Sequence, residues 1–231
     1  MAQTFVIPPP PIAWLSTTTG EAFPVRRVYC VARNYAGHAV EMGHDPDQEP
    51  PFFFQKNPNN LIQNKPFPYP SQSHDVHHEV ELMAALKKGG RNIAMDSALD
   101  CIWGYGVALD MTCRDLQTHA KQLGRPWMRG KAFESSSPCS AIRPVSNCGH
   151  PHHGAINLWV NGELRQAGDL SQQIWKVPEI ITFLSRDFEL APGDIILTGT
   201  PAGVAAVHLG DKLEAVIEGV EKLSVSVVHS D

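Results

Sequence analysis

Hydrophobic and polar positions alternate along much of this chain, mostly with the two-residue period of short strands. Arg27 to Val31 reads as a strand, and Asn34 offers a helix N-cap for a short segment running to Met42. Residues 50 to 70 are rich in Pro and Asn around Phe52-Phe53-Phe54, which predicts loops with one short buried strand. Val76 to Leu86 alternates, with Val80, Leu82 and Ala84 on one face and Glu79 and Glu81 on the other. Trp103 to Asp110 is an apolar strand. Thr112-Cys113-Arg114-Asp115 then has the form of a capping box opening a helix. Ile156, Leu158 and Val160 alternate into Asn161-Gly162, a hairpin signal. Pro178 to Ser185 has helical spacing behind a first-turn proline. Strands follow at Ile195–Thr198, Leu213–Ile217 and Leu223–Val227, with the tight loop Gly199-Thr200-Pro201-Ala202-Gly203 among them.

Many short strands with a few short helices, lacking a regular β-α-β alternation, predict an α+β protein whose β structure is mixed and largely antiparallel. The run Pro8-Pro9-Pro10-Pro11 cannot join a helix or a central strand, so residues 1–22 read as an extended N-terminal arm. No linker or repeat divides the remainder, and 23–231 read as a single domain.

Composition narrows the class. At 42% hydrophobic the 231 residues hold enough apolar material for a real core, and the net charge of −5 is spread thinly. No Lys/Arg cluster suggests a nucleic-acid groove, and no apolar run is long enough to span a bilayer. Five cysteines without a Cys-x-x-Cys pair fit reduced thiols, and a cytoplasmic location is expected.

Three acids carry the candidate chemistry. Glu79 and Glu81, two apart in a strand, project from one face, and Asp110 ends the next strand. Close carboxylates repel each other and lose solvation when buried, and a hard dication such as Mg²⁺ or Mn²⁺ relieves both costs. The plainer reading places Glu79 and Glu81 on the solvated face of an edge strand. The run Cys148-Gly149-His150-Pro151-His152-His153 has soft-metal residues but no second group at ligand spacing, so a surface loop is expected. Of the adjacent His77 and His78, the first shares the face of the two glutamates and the second is read as structural.

Five segments in order give the chain a resemblance to the fumarylacetoacetate hydrolase family. They are Arg33-Asn34-Tyr35-Ala36-Gly37-His38-Ala39-Val40-Glu41, His77-His78-Glu79-Val80-Glu81-Leu82, Gly104-Tyr105-Gly106-Val107-Ala108-Leu109-Asp110-Met111-Thr112, Arg114-Asp115-Leu116-Gln117 and Gly199-Thr200-Pro201-Ala202-Gly203-Val204. The stretches 23–30, 41–47 and 50–54 are similar more narrowly to its short bacterial members that act on fumarylpyruvate. The resemblance implies a β-roll or sandwich fold and a homodimer. It also implies a metal site of Glu79, Glu81 and Asp110, a general-base pair His38 and Glu41 on a lid, and a catalytic Lys131. The chain departs from relatives at Ala32 and Ala132, where they carry Gly, a change that strains any position needing positive φ.

The chemistry these groups suit is cleavage of a carbon–carbon bond in a 2,4-dioxo acid, fumarylpyruvate above all. A dication and Lys131 would offset developing negative charge while His38, oriented by Glu41, activates water. Arg33, Tyr35, Arg114, Gln117 and Thr200 are the expected substrate contacts. Decarboxylation, hydration or isomerisation of related 2-oxo acids would use the same metal site, and a non-catalytic cation module is a third reading.

Overall fold

The computed structural model describes residues 4–37 and 50–230, and two sheets dominate it. The larger has six strands in the order Arg143–Pro144, Ile102–Leu109, Val80–Leu86, Asp194–Leu197, Arg27–Ala32 and Phe52–Lys56. Within it only Asp194–Leu197 and Arg27–Ala32 run parallel. The smaller has five strands, Glu163–Asp169, Ala155–Val160, Lys212–Ile217, Glu221–His229 and Phe67–Tyr69, antiparallel except for the last pair. This is the mixed, largely antiparallel α+β architecture that the alternation predicts.

The pleat sorts the larger sheet's side chains between two cores. Val80, Leu82, Ala84 and Leu86 enter the main core with Ile156, Leu158, Leu213 and Ala215 of the smaller sheet. Helix Val177–Asp187 adds Val177, Ile180, Ile181 and Leu184 to it, spaced as one helical face. Met83 and Ala85 turn the other way, into a second core with Val28, Cys30, Ala108, Ile195 and Leu197. Leu15, Phe23 and Val25 cover that core. Every residue of Val80–Leu86 is buried, so the solvated edge strand is ruled out: this strand is central, with both faces covered.

Several local expectations need correction. Trp14–Ser16 pairs with Ala22–Pro24 across a turn inside the stretch 1–22 read as an arm, and ahead of this hairpin residues 4–13 carry no strand. Phe52–Lys56 is an edge strand, its phenylalanines only partly covered. Thr112 caps no helix: Arg114–Gln122 starts after Cys113 without a side-chain cap, because the Thr112 hydroxyl is buried and bonded elsewhere. Asn34 is no N-cap either. Its amide donates to Trp175 O (2.8 Å) and Thr198 O (2.7 Å) and accepts from Trp175 N (2.7 Å), tying three segments together. The Asn161-Gly162 turn forms as expected, both residues at positive φ.

Candidate active site

Glu79, Glu81 and Asp110 converge where the second face of the larger sheet ends. Glu81 follows the alternation of Met83 and Ala85 and sits opposite Ala108, while Asp110 N donates to Glu79 O at 2.8 Å. Register thus brings acids 29 to 31 residues apart in sequence to one point, and an oxygen of each lies within 4.8 Å of the others. All three are buried. Among the described residues they are the only His, Cys, Asp and Glu group that converges in this way, and Cys148 to His153 form none.

The electrostatics call for cations. Burial, followed by the charges of Asp110 and Glu79, pushes the Glu81 carboxyl well above the usual range. Its Oε2 accepts a hydrogen bond from Gly199 N at 2.6 Å. Gly199 has φ +92°, and a Cβ there would lie 2.7 Å from the Asn34 Cβ, so only glycine lets this backbone approach. Lys131 Nζ lies 2.8 Å from Glu79 Oε2 and 2.7 Å from both Asp110 Oδ2 and Thr112 Oγ1. Burial alone would lower the pKa of that ammonium, but Asp110 and Glu79 outweigh it and the net shift is upward. Arg114 reaches Glu79 Oε1 at 2.5 Å and Gln117 Oε1 at 2.7 Å, which fixes the i, i+3 pair at the cleft wall.

A second lysine was not visible in the sequence. Lys56 is buried, with its Nζ 2.9 Å from Asp110 Oδ1 and 2.9 Å from Ser136 Oγ. It also donates to the carbonyls of Lys131 and Ser136. The one signal was its place two residues beyond Phe54, on the same strand face. The Asp110 contact is close enough for charge pairing but not aligned as a hydrogen bond, so Oδ1 remains a buried acceptor without a donor. Such an oxygen inside a ring of three carboxylates fits a divalent cation.

Thr200 is buried at the cleft and held through a relay. Its Oγ1 accepts from Gln166 Nε2 at 2.8 Å, and Gln166 Oε1 accepts from Val80 N (3.1 Å) and pairs with His78 Nδ1 (2.9 Å). Gln166 is a further residue that sequence reading missed, because its role exists only once the two sheets meet. His78 is structural, as expected. His77 Nε2 instead pairs with Asp75 at 2.8 Å.

Glu79, Glu81, Arg33, Arg114, Gln117, Lys131 and Thr200 all line one cleft of ≈ 400 Å³, counted to its open mouth. Tyr35 does not belong there: it is 2% exposed and packs in the main core. His38 and Glu41 lie outside the described residues. Ala32 and Ala132 avoid the left-handed region, Ala132 having φ −114°, so neither replacement of glycine strains the backbone. The positive φ of this segment falls on Arg33 instead (60°).

Fold and site together define an enzyme of mixed β architecture with a buried three-carboxylate site for one divalent cation. The sequence model of the fumarylacetoacetate (FAA) hydrolase C-terminal family matches residues 27–228, and the chain belongs to that family. The crystal structure of fumarylpyruvate hydrolase from Pseudomonas aeruginosa, in complex with Mn²⁺ and pyruvate, is 48% identical. It superposes with a TM-score of 0.96 over 98% of this chain and 100% of its own. The mitochondrial oxaloacetate tautomerase FAHD1 of Rattus norvegicus is 41% identical, over 89% of this chain and 93% of the relative. Oxaloacetate tautomerase YcgM of Escherichia coli is 39% identical, over 85% and 90%. No helix among the described residues is long and apolar enough to cross a membrane.

Proposed function

We propose that this chain hydrolyses the C3–C4 bond of a 2,4-dioxo acid, with fumarylpyruvate as substrate and fumarate and pyruvate as products. The observation that carries the reading is the buried trio Glu79, Glu81 and Asp110 ringed by Lys56, Lys131 and Arg114 in an open cleft. The likeness to the P. aeruginosa structure, which holds Mn²⁺ and pyruvate, supports it.

The three carboxylates would hold the cation, which when bound supplies the Lewis acidity that steadies the departing enolate of pyruvate. Arg114 and Gln117, locked together on one helix face, orient the 2-oxo acid end of the substrate. Thr200, fixed by Gln166, offers its hydroxyl to the same end. His38 takes a proton from water as the water oxygen adds to C4, and Glu41 holds the imidazole in place. Lys131 offsets the negative charge gathering on the C4 oxygen. The C3–C4 bond then breaks, its electron pair stays with C3, and a proton delivered to C3 yields pyruvate. C4 leaves as the carboxyl of fumarate. The exposed apolar residues Phe5, Val6, Ile7, Ile12 and Trp14 support a homodimer in which a second copy covers the arm.

A second reading has specific support: the rat and E. coli relatives are named oxaloacetate tautomerases, and a tautomerase would use the same cation site to move a proton between carbon and oxygen without splitting a carbon–carbon bond. The experiment is a turnover panel of fumarylpyruvate, a neutral acylpyruvate and oxaloacetate with Mg²⁺ or Mn²⁺. Hydrolysis predicts pyruvate and fumarate in equal amounts with no CO₂, abolished in His38→Ala while Mn²⁺ affinity holds. Intact fumarylpyruvate beside rapid keto–enol exchange of oxaloacetate would establish the second reading instead.

A further inference from the structure

Lys121 was not among the residues that the sequence singled out. It lies on the last turn of helix Arg114–Gln122, half-buried, and lines the same cleft as the acidic trio. Its Nζ stands 5.1 Å from the centroid of the Trp127 ring. The inner cation Lys131 stands 5.1 Å from the centroid of Phe54, and the two rings are 5.9 Å apart. An aromatic ledge therefore runs between an inner and an outer ammonium.

The charges on this ledge are unequal in their pairing. Lys131 and Arg114 are held by the carboxylates of the trio. Lys121 has no carboxylate within 4.0 Å among the described residues, although partial burial and then the positive charges of Arg114 and Arg33 lower its pKa. Positive charge from Arg114 and Arg33 reaches a Lys121 that has no carboxylate within 4.0 Å among the described residues, a setting that an anion relieves. The pyruvyl carboxylate does not serve, because it belongs at the metal end.

We propose that Lys121, with Arg33 beside it, is the subsite for the second carboxylate of a diacid whose flat unsaturated chain lies along Phe54 and Trp127. In this pose the acyl carbonyl lies at Lys131, the unsaturated chain along the two rings, and the far carboxylate at Lys121, all on the lining of one cleft. This inference deepens the hydrolase reading by naming what the acyl end must carry, and it rests on that reading for the pose at the metal.

The test separates the two. Manganese-loaded protein is titrated calorimetrically with fumarate and, separately, with pyruvate, in wild type, Lys121→Met and Lys121→Arg. The subsite predicts that Lys121→Met weakens fumarate by about tenfold or more. It predicts that pyruvate keeps its affinity and that Lys121→Arg restores most of the loss. The ratio of kcat/KM for fumarylpyruvate over a neutral acylpyruvate should fall by a similar factor. Equal losses for both ligands, or no loss for fumarate, overturn the subsite. Failure of the wild type to cleave either dioxo acid overturns the hydrolase reading, while the binding titrations still judge Lys121.

Discussion

Lys56 Nζ lies 2.9 Å from Asp110 Oδ1, and neither side chain is exposed to solvent. A buried ion pair stabilises little against an apolar replacement of both partners, yet removing one partner leaves an uncompensated charge. Lys56→Met should therefore destabilise the metal-free protein by roughly 3–5 kcal/mol. A dication that binds only the native state offsets part of that loss by mass action. Urea unfolding with and without saturating Mn²⁺ reads both quantities. A variant as stable as wild type in the absence of metal would show that the pair is neutralised in some other way.

Burial, and then the charges of Asp110 and Glu79 beside it, raise the Glu81 carboxyl pKa, and a bound dication would offset both causes. Chelation should abolish turnover, and readdition of Mg²⁺ or Mn²⁺ should restore it. Glu81→Gln keeps the shape but removes a charge, so Mn²⁺ affinity should drop by more than the roughly 10–100-fold typical of an outer-shell change. Calorimetric titration of Mn²⁺ checks this, and an affinity within a few-fold of wild type would remove Glu81 from the ligand set.

Gln166 joins the two sheets to the site by serving His78, Val80 N, Thr200 and Pro201 O at once. Gln166→Leu has similar bulk but leaves these groups without partners, at a cost on the order of 1–3 kcal/mol for each orphan. Denaturant midpoints should fall, and KM should rise more than kcat falls if Thr200 acts in substrate binding. A proportional loss in kcat alone would place Thr200 outside ground-state binding.

Gly199→Ala meets two obstacles, a left-handed φ and an Asn34 Cβ at 2.7 Å. Strain of about 1–3 kcal/mol is expected, together with weaker Mn²⁺ binding as the hydrogen bond to Glu81 is displaced. Ala32→Gly is the contrast: Ala32 lies outside the left-handed region, so restoring glycine should bring no stabilisation. Thermal melts of both variants, with and without Mn²⁺, test the pair.

Much of the strand layout was legible because alternation reports which side of a pleated sheet each residue occupies. Arg27–Ala32, Ile102–Leu109 and the hairpin at Asn161-Gly162 fall where the pattern puts them. The acidic trio was legible for the same reason: Glu79 and Glu81 share a face by parity alone. Misreadings clustered where one residue's partner lies far along the chain. Thr112 resembled a cap because Lys131, which donates to its hydroxyl oxygen, is 19 residues away. Asn34 resembled a cap because Thr198 is 164 residues away.

By itself the sequence determined the periodicities, the apolar faces, the turn chemistry and the types of residue able to hold a hard cation. These depend on neighbours a few positions apart, where backbone geometry is fixed. Tertiary structure alone decided that Val80–Leu86 is central rather than at an edge, which buries Glu81 and makes its charge costly. It alone brought Lys56 to Asp110 and Lys121 to Trp127, and withdrew Tyr35 into the core. Burial and long-range pairing arise from strand order, and strand order is a property of the whole chain packed at once, not of any local stretch.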